Sequence, residues 1–154
     1  MIEDAISIEK RIDKIKEMFA TSTPEEKMIR LLDLGRSLPP YPGDQKTTPH
    51  LVPGCQSTLY LYSHLENGRV HFEACADALI SAGLAALLIY VYSSESPEII
   101  LKTPPSFLAN LGILDSLTPS RSNGLAHIHQ RMKKDSLKFL LSTMISMDLN
   151  PAPH

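Results

Sequence analysis

Cys55 lies directly after Pro53-Gly54 and directly before Gln56-Ser57. Proline fixes one backbone angle and glycine admits conformations closed to other residues, so the pair can turn the chain sharply and project the next side chain. A thiol at such a tip, beside the backbone N–H groups of Gln56 and Ser57, can have its thiolate stabilised. The thiolate is the attacking species in thiol–disulfide and persulfide exchange, which makes Cys55 a candidate for sulfur transfer. The competing reading is a small buried hydrophobe, a common fate for an unpaired cysteine.

Other residue types with chemical potential are scattered. Cys75 is the second of the 2 cysteines, too few for a disulfide framework and in keeping with a reducing compartment. As a resolving thiol it is poorly placed: pairing the strands around Asn67-Gly68 sets Cys75 opposite Tyr60. Five residues of extended chain then separate it from Cys55, roughly 16 Å and beyond the reach of a disulfide. His127 and His129 are two apart on an expected helix and face different ways, a poor metal pair. His64 and His71 stand opposite each other on the hairpin, but two imidazoles fall short of a structural zinc site. His50 is the histidine nearest Cys55 along the chain and a candidate base, although nothing supplies the third group a cysteine hydrolase needs. Asp77 reads as a helix cap. Arg121 is not explained by core packing, and its default is a solvated surface.

Elements that would position these residues follow from pattern. Ile8, Ile12, Ile15 and Phe19 share one face of a first helix. Thr23-Pro24-Glu25-Glu26 starts a second by capping-box chemistry, with Met28, Ile29, Leu31 and Leu32 as its apolar face and Gly35 as terminator. From Leu38 to Gly54 periodicity disappears, and five of the chain's 12 prolines fall there. Unstructured connections of that length are often functional, and this one is expected to move when it delivers Cys55. Leu59–Glu66 and Arg69–Cys75 alternate around Asn67-Gly68, a strong hairpin signal. Leu59, Leu61, Leu65, Val70, Phe72 and Ala74 take the core face, and a third strand near Val52–Cys55 is expected because an isolated hairpin is marginal. Ala78 to Tyr92 is apolar nearly all round and reads as a buried central helix. Short helices follow from Ser96-Pro97-Glu98 and over Ser106–Leu111. A long C-terminal helix starts at Ser120 or Ser122 and carries Leu125, Ile128, Met132, Leu137 and Leu140, with Asn150–His154 as a frayed tail.

The sum is an α+β fold, a small antiparallel sheet with helices packed on one face. A hydrophobic content of 43% and a charged content of 21% describe a soluble globular chain. The 15 basic and 17 acidic residues are intermixed, so no electrostatic case exists for nucleic acid or an anionic membrane. The apolar run Ala82–Tyr92 is far short of the ~20 residues of a membrane span. The N-terminus lacks the basic and apolar regions of a secretory signal, so a cytoplasmic location is expected.

Gly54-Cys55-Gln56-Ser57, followed by an alternating strand, resembles the active-site segment of the SufE family of sulfur acceptors. Asp77-Ala-Leu-Ile-Ser-Ala-Gly83-Leu84 is similar to the family's Asp-x-x-Ile-x-x-Gly-Leu helix, and Leu117-Thr-Pro-Ser-Arg121-Ser-Asn-Gly124-Leu125 to its Leu-x-Pro-Ser-Arg-Ser-x-Gly-Leu segment. Glu25 to Pro39 fits its second helix. Tyr60 stands where the family often has tryptophan, and Cys75-Ala76 replaces more polar residues. The likeness spans roughly residues 8 to 135 of a single domain, with 136–154 as a C-terminal extension.

The resemblance implies a fold like that of iron–sulfur scaffold proteins and a pyridoxal-phosphate cysteine desulfurase as partner. Cys55 would take the terminal sulfur of the desulfurase persulfide, stimulating that enzyme, and pass the sulfur to an iron–sulfur cluster scaffold complex. Gly54, Gln56, Ser57, Asp77 and Arg121 would support it. The pyridoxal phosphate belongs to the partner, so the chain would need no cofactor or metal of its own. Two rivals stand beside this reading. A cluster scaffold would want about four thiolate ligands where this chain has 2 cysteines. An adaptor would stimulate the desulfurase without carrying sulfur.

Overall fold

The computed structural model describes residues 6–20, 23–55 and 57–149. Gln56 and the Asn150–His154 tail therefore lie outside the described residues. The hairpin forms in the register its alternation requires. Strand β1 (Leu59–Glu66) pairs antiparallel with β2 (Arg69–Ala76), Glu66 opposite Arg69 and Tyr60 opposite Cys75. Asn67 and Gly68 both take positive φ (54° and 75°), the backbone that a two-residue turn matched to strand twist demands. Leu59, Leu61, Val70, Phe72 and Ala74 are buried, while Leu65 near the turn is 38% exposed.

The expected third strand does not form. Leu51 makes a single bridge to Tyr60, and the Val52 N–H reaches the Leu59 carbonyl at 3.0 Å. Gly54 then takes φ 81°, which turns the chain out of the extended line a ladder needs. On the other edge a single bridge joins Val70 to Glu95.

Helix α1 spans Ile8–Ala20 and buries Ile8, Ile15 and Phe19. Helix α2 spans Pro24–Arg36, and its Thr23 hydroxyl accepts from the Glu26 N–H at 3.2 Å, the cap the sequence signals. Two expectations for α2 fail. Ile29 is 57% exposed, because the buried face of the helix runs through Leu31 and Gly35, with Met28 and Leu34 beside it. Gly35 does not end the helix but lies inside it, against helix α3 (Leu79–Tyr92). A Cβ on Gly35 would come within 2.8 Å of the Gly83 nitrogen, and one on Gly83 would strike the Leu31 carbonyl oxygen. The two helices thus touch backbone to backbone. Helix α3 is buried over most of its surface, as an all-round apolar segment must be.

Helix α4 (Pro97–Lys102) is capped by Ser96, whose hydroxyl accepts from Ile99 N–H at 3.4 Å. Pro105–Leu111 winds as a 3-10 helix ending at Gly112, φ 70°. Helix α5 runs from Pro119 to Leu149. It starts earlier than either serine: the Thr118 hydroxyl accepts from Arg121 N–H at 3.3 Å, and Pro119 takes the first helical position. Leu125, Ile128 and Met132 are buried, whereas Leu137 is 45% exposed because it lies on the outward face of α5, between the buried Ser136 and Phe139, which packs against the core. Among the described residues no helix is long and apolar enough to cross a membrane.

His129 on α5 is buried beside Tyr92, ring centroids 5.2 Å apart, and burial holds its pKa down at about 4. Unfolded, the same imidazole titrates near 6.5, so between these values the unfolded chain binds the proton first. The stability that depends on neutral His129 is fully present above about pH 6.5 and is lost as pH falls to about 4. We expect a loss of roughly 3 kcal/mol across that window. Urea melts should show it in wild type, and His129→Leu should flatten that part of the curve. An unchanged slope would remove His129 as the cause.

Candidate functional site

The segment carrying Cys55 is a short excursion with clamped ends. On one side Val52 N–H bonds to Leu59 O. On the other, Thr58 N–H donates to the Asp77 carboxylate at 3.0 Å, and Asp77 N–H returns to Thr58 O at 3.1 Å. The preceding loop is held from α5: the Arg131 guanidinium donates to Pro49 O at 2.5 Å and Leu51 O at 3.1 Å. Asp135 steadies that guanidinium at 3.1 Å and accepts from Ser63 at 2.6 Å. Between the clamps, Gly54 takes φ 81°, a conformation open to glycine at little cost.

Asp77 is therefore not the helix cap. The residue before α3 is Ala78, which offers no side-chain bond, and the Asp77 carboxylate secures the far end of the Cys55 segment instead. Losing one such bond costs about 1 kcal/mol. In Asp77→Ala, alkylation of Cys55 in the free protein should quicken about fivefold, because the lifted segment becomes correspondingly more populated. An unchanged rate would show that Thr58 and Asp77 stay together when the segment moves.

Cys55 itself is half-buried, its Sγ facing the Gly124 carbonyl of α5 at 4.0 Å. It borders a pocket of about 10 Å³, shared with Leu59, Ser81, Leu84, Arg121 and Ile128. That is room for about one water-sized atom. Ser81, buried on α3, is the hub: it accepts from Ser57 at 2.6 Å and from the Arg121 guanidinium at 2.5 Å. The fold so brings Arg121 and Ser57 to the thiol through a residue that sequence reasoning passed over. Serine on an apolar helix carries no signal of its own.

The electrostatics differ from the expectation of a stabilised thiolate. Burial pushes the Cys55 thiol above its ordinary value, so in this state the proton stays on. Among the described residues lining the pocket there is no histidine. His50 packs edge-on against Tyr62, centroids 5.4 Å apart, on the outer side of the hairpin. Cys75 lies opposite Tyr60, is free, and is likewise raised by burial. His64 stacks on His71 at 5.4 Å, and no group of three metal-binding side chains occurs among the described residues.

Residues 13–136 match the family model described as "SufE: Fe-S metabolism associated domain". The chain belongs to the SufE family. It is 36% identical over 129 residues to an uncharacterized SufE-like protein of Synechocystis, covering 83% of this chain and 81% of that one. It is 30% identical over 138 residues to the cysteine desulfuration protein SufE of Wigglesworthia glossinidia brevipalpis, covering 88% and 96%. The solution structure of a hypothetical protein from Thermus thermophilus superposes with a TM-score of 0.73 at 26% identity, covering 85% of this chain and 96% of that one. Family membership ties the chain to iron–sulfur metabolism, and the α+β architecture is shared with the Thermus structure.

Proposed function

We propose that this SufE-family chain accepts sulfur on Cys55 from a cysteine desulfurase and hands it to an iron–sulfur cluster scaffold complex. The observation that carries the reading is the Cys55 segment itself: a thiol between two clamps, beside a pocket with room for about one more atom. The desulfuration named for the Wigglesworthia relative supports the partner.

In the transfer, the Cys55 thiolate attacks the outer sulfur of the desulfurase persulfide. A new S–S bond forms at Cys55 as the desulfurase S–S bond breaks, and the desulfurase cysteine leaves as thiolate. The outer sulfur keeps its oxidation level and no external oxidant is consumed. Because the seated thiol is held protonated by burial, the Pro53–Thr58 segment lifts before attack, exposing Cys55 and letting its proton go to water. Arg121 and Ser81 line the place where the outer sulfur rests once the segment reseats, and Ser57 is bonded to Ser81 beside it. Residues of about 8–135 do this work, in the compartment of the desulfurase, which we take to be the cytoplasm.

Intact mass spectrometry after incubation with an active desulfurase and free cysteine tests the reading. A reductant-sensitive gain of one sulfur atom is expected. No gain, with desulfurase turnover nonetheless stimulated, would leave an adaptor in place of a carrier.

A further inference from the structure

Gly54 lies face-on against the imidazole of His127, which reaches it from α5. A Cβ built on Gly54 would fall on Nδ1, Cε1 and Cδ2 of that ring. The His127 Nδ1 is closed to solvent and has no hydrogen-bond partner among the described residues. The ring also lines a solvent-open cleft of about 460 Å³ with Pro53, Gln130 and Lys134. One buried polar atom is thus left unsatisfied by the very segment that carries the thiol, and water stands within a short movement of it. Native structures rarely leave such an atom without a reason.

We propose that His127 is a positioning residue that biases the Gly54–Cys55 segment toward its lifted state, because its Nδ1 is unpaired while the segment is seated and hydrated once it rises. The consequence for sulfur transfer rests on the function proposed above; the bias itself does not. An unpaired buried acceptor or donor weakens the state that buries it. Relative to an apolar atom of the same shape, the lifted population rises roughly 5- to 100-fold. The bonds at Val52–Leu59 and Thr58–Asp77 mark the two ends of the segment.

Leucine and asparagine are near-isosteric, and both lack the imidazole. Only asparagine puts a polar atom where Nδ1 stands. The test is alkylation of the free, full-length chain by iodoacetamide, read separately at Cys55 and Cys75 by peptide mass spectrometry. His127→Leu is expected to slow Cys55 by roughly 5- to 100-fold, His127→Asn to stay within about threefold of wild type, and Cys75 not to change. Equal rates for the two variants would overturn the proposal, since a purely steric ring would make them behave alike. A lower melting temperature for His127→Leu than for His127→Asn would overturn it too, because removing an unpaired buried nitrogen must stabilise the seated state. No desulfurase is present, so failure here leaves the persulfide reading standing, and failure of that reading leaves this one.

Discussion

Cys55→Ser is expected to abolish the gain of one sulfur atom and to return desulfurase turnover to the rate of the desulfurase alone. Serine keeps the size of the side chain but replaces the only atom at that position able to form the S–S bond. Its hydroxyl does not ionise near neutral pH and makes no persulfide. The variant should fold: the thiol is half-buried, and its polar contact among the described residues, to Gly124 O at 4.0 Å, is weak. Its stability should stay within about 1 kcal/mol of wild type, the usual range for small changes outside a packed core. A sulfur gain that survived the substitution would move the chemistry to Cys75. Full stimulation without any gain would establish the adaptor. Cys75→Ser is the matching control, and its persulfide yield should equal that of wild type, since Cys75 sits opposite Tyr60 and outside the residues around the Cys55 pocket.

Among the substitutions, the largest expected loss of stability belongs to Gly83→Ala. In an open helix this exchange stabilises by about 1 kcal/mol, because glycine carries the greater entropy loss. At Gly83 the sign should reverse. The added methyl strikes the Leu31 carbonyl oxygen and lies 3.0 Å from both the carbonyl carbon and Cγ of Leu31. Backbone cannot rotate aside as a side-chain tip can, so α2 and α3 must separate. Overpacking of this kind costs about 1–3 kcal/mol net. Equilibrium urea melts should show the midpoint fall without a change in slope. Gly124→Ala makes an informative partner, because among the described residues its Cβ meets only Cys55 atoms at 3.8 and 3.9 Å, ordinary contact. There the helix-propensity gain should survive and the midpoint should rise. If Gly83→Ala also raised it, the close approach of the two helices would be wrong.

Both glycines belong to the segments through which the chain resembles its family, and they show why a motif can be visible before its reason is. Gly83 is needed because Leu31 lies against it. Gly124 leaves space beside the thiol. Neither fact can be read from neighbours along the chain.

Capping and turn chemistry were legible because the interacting groups are three or four residues apart. Thr23 with Glu26, Ser96 with Ile99, and the Asn67-Gly68 turn each depend on a few adjacent dihedrals. The hairpin register was legible for a related reason: with a side-chain period of two, a one-residue slip would turn Phe72 and Val70 to solvent. Cys55 stood out because proline and glycine precede it, again a local cue.

The rest lay in packing over long separations. Ser81 gathers Ser57 and Arg121 from 24 and 40 residues away, and Cys55 faces a carbonyl 69 residues along the chain. Asp77 reads locally as a cap, but its carboxylate accepts from the Thr58 N–H, 19 residues away. The raised pKa of Cys55 is a property of burial, which no short stretch of sequence contains. Local pattern thus determined the elements and singled out the thiol. Tertiary packing decided its resting protonation, its neighbours and the ring of His127 over Gly54, because those depend on which distant backbones approach closely enough to exclude water.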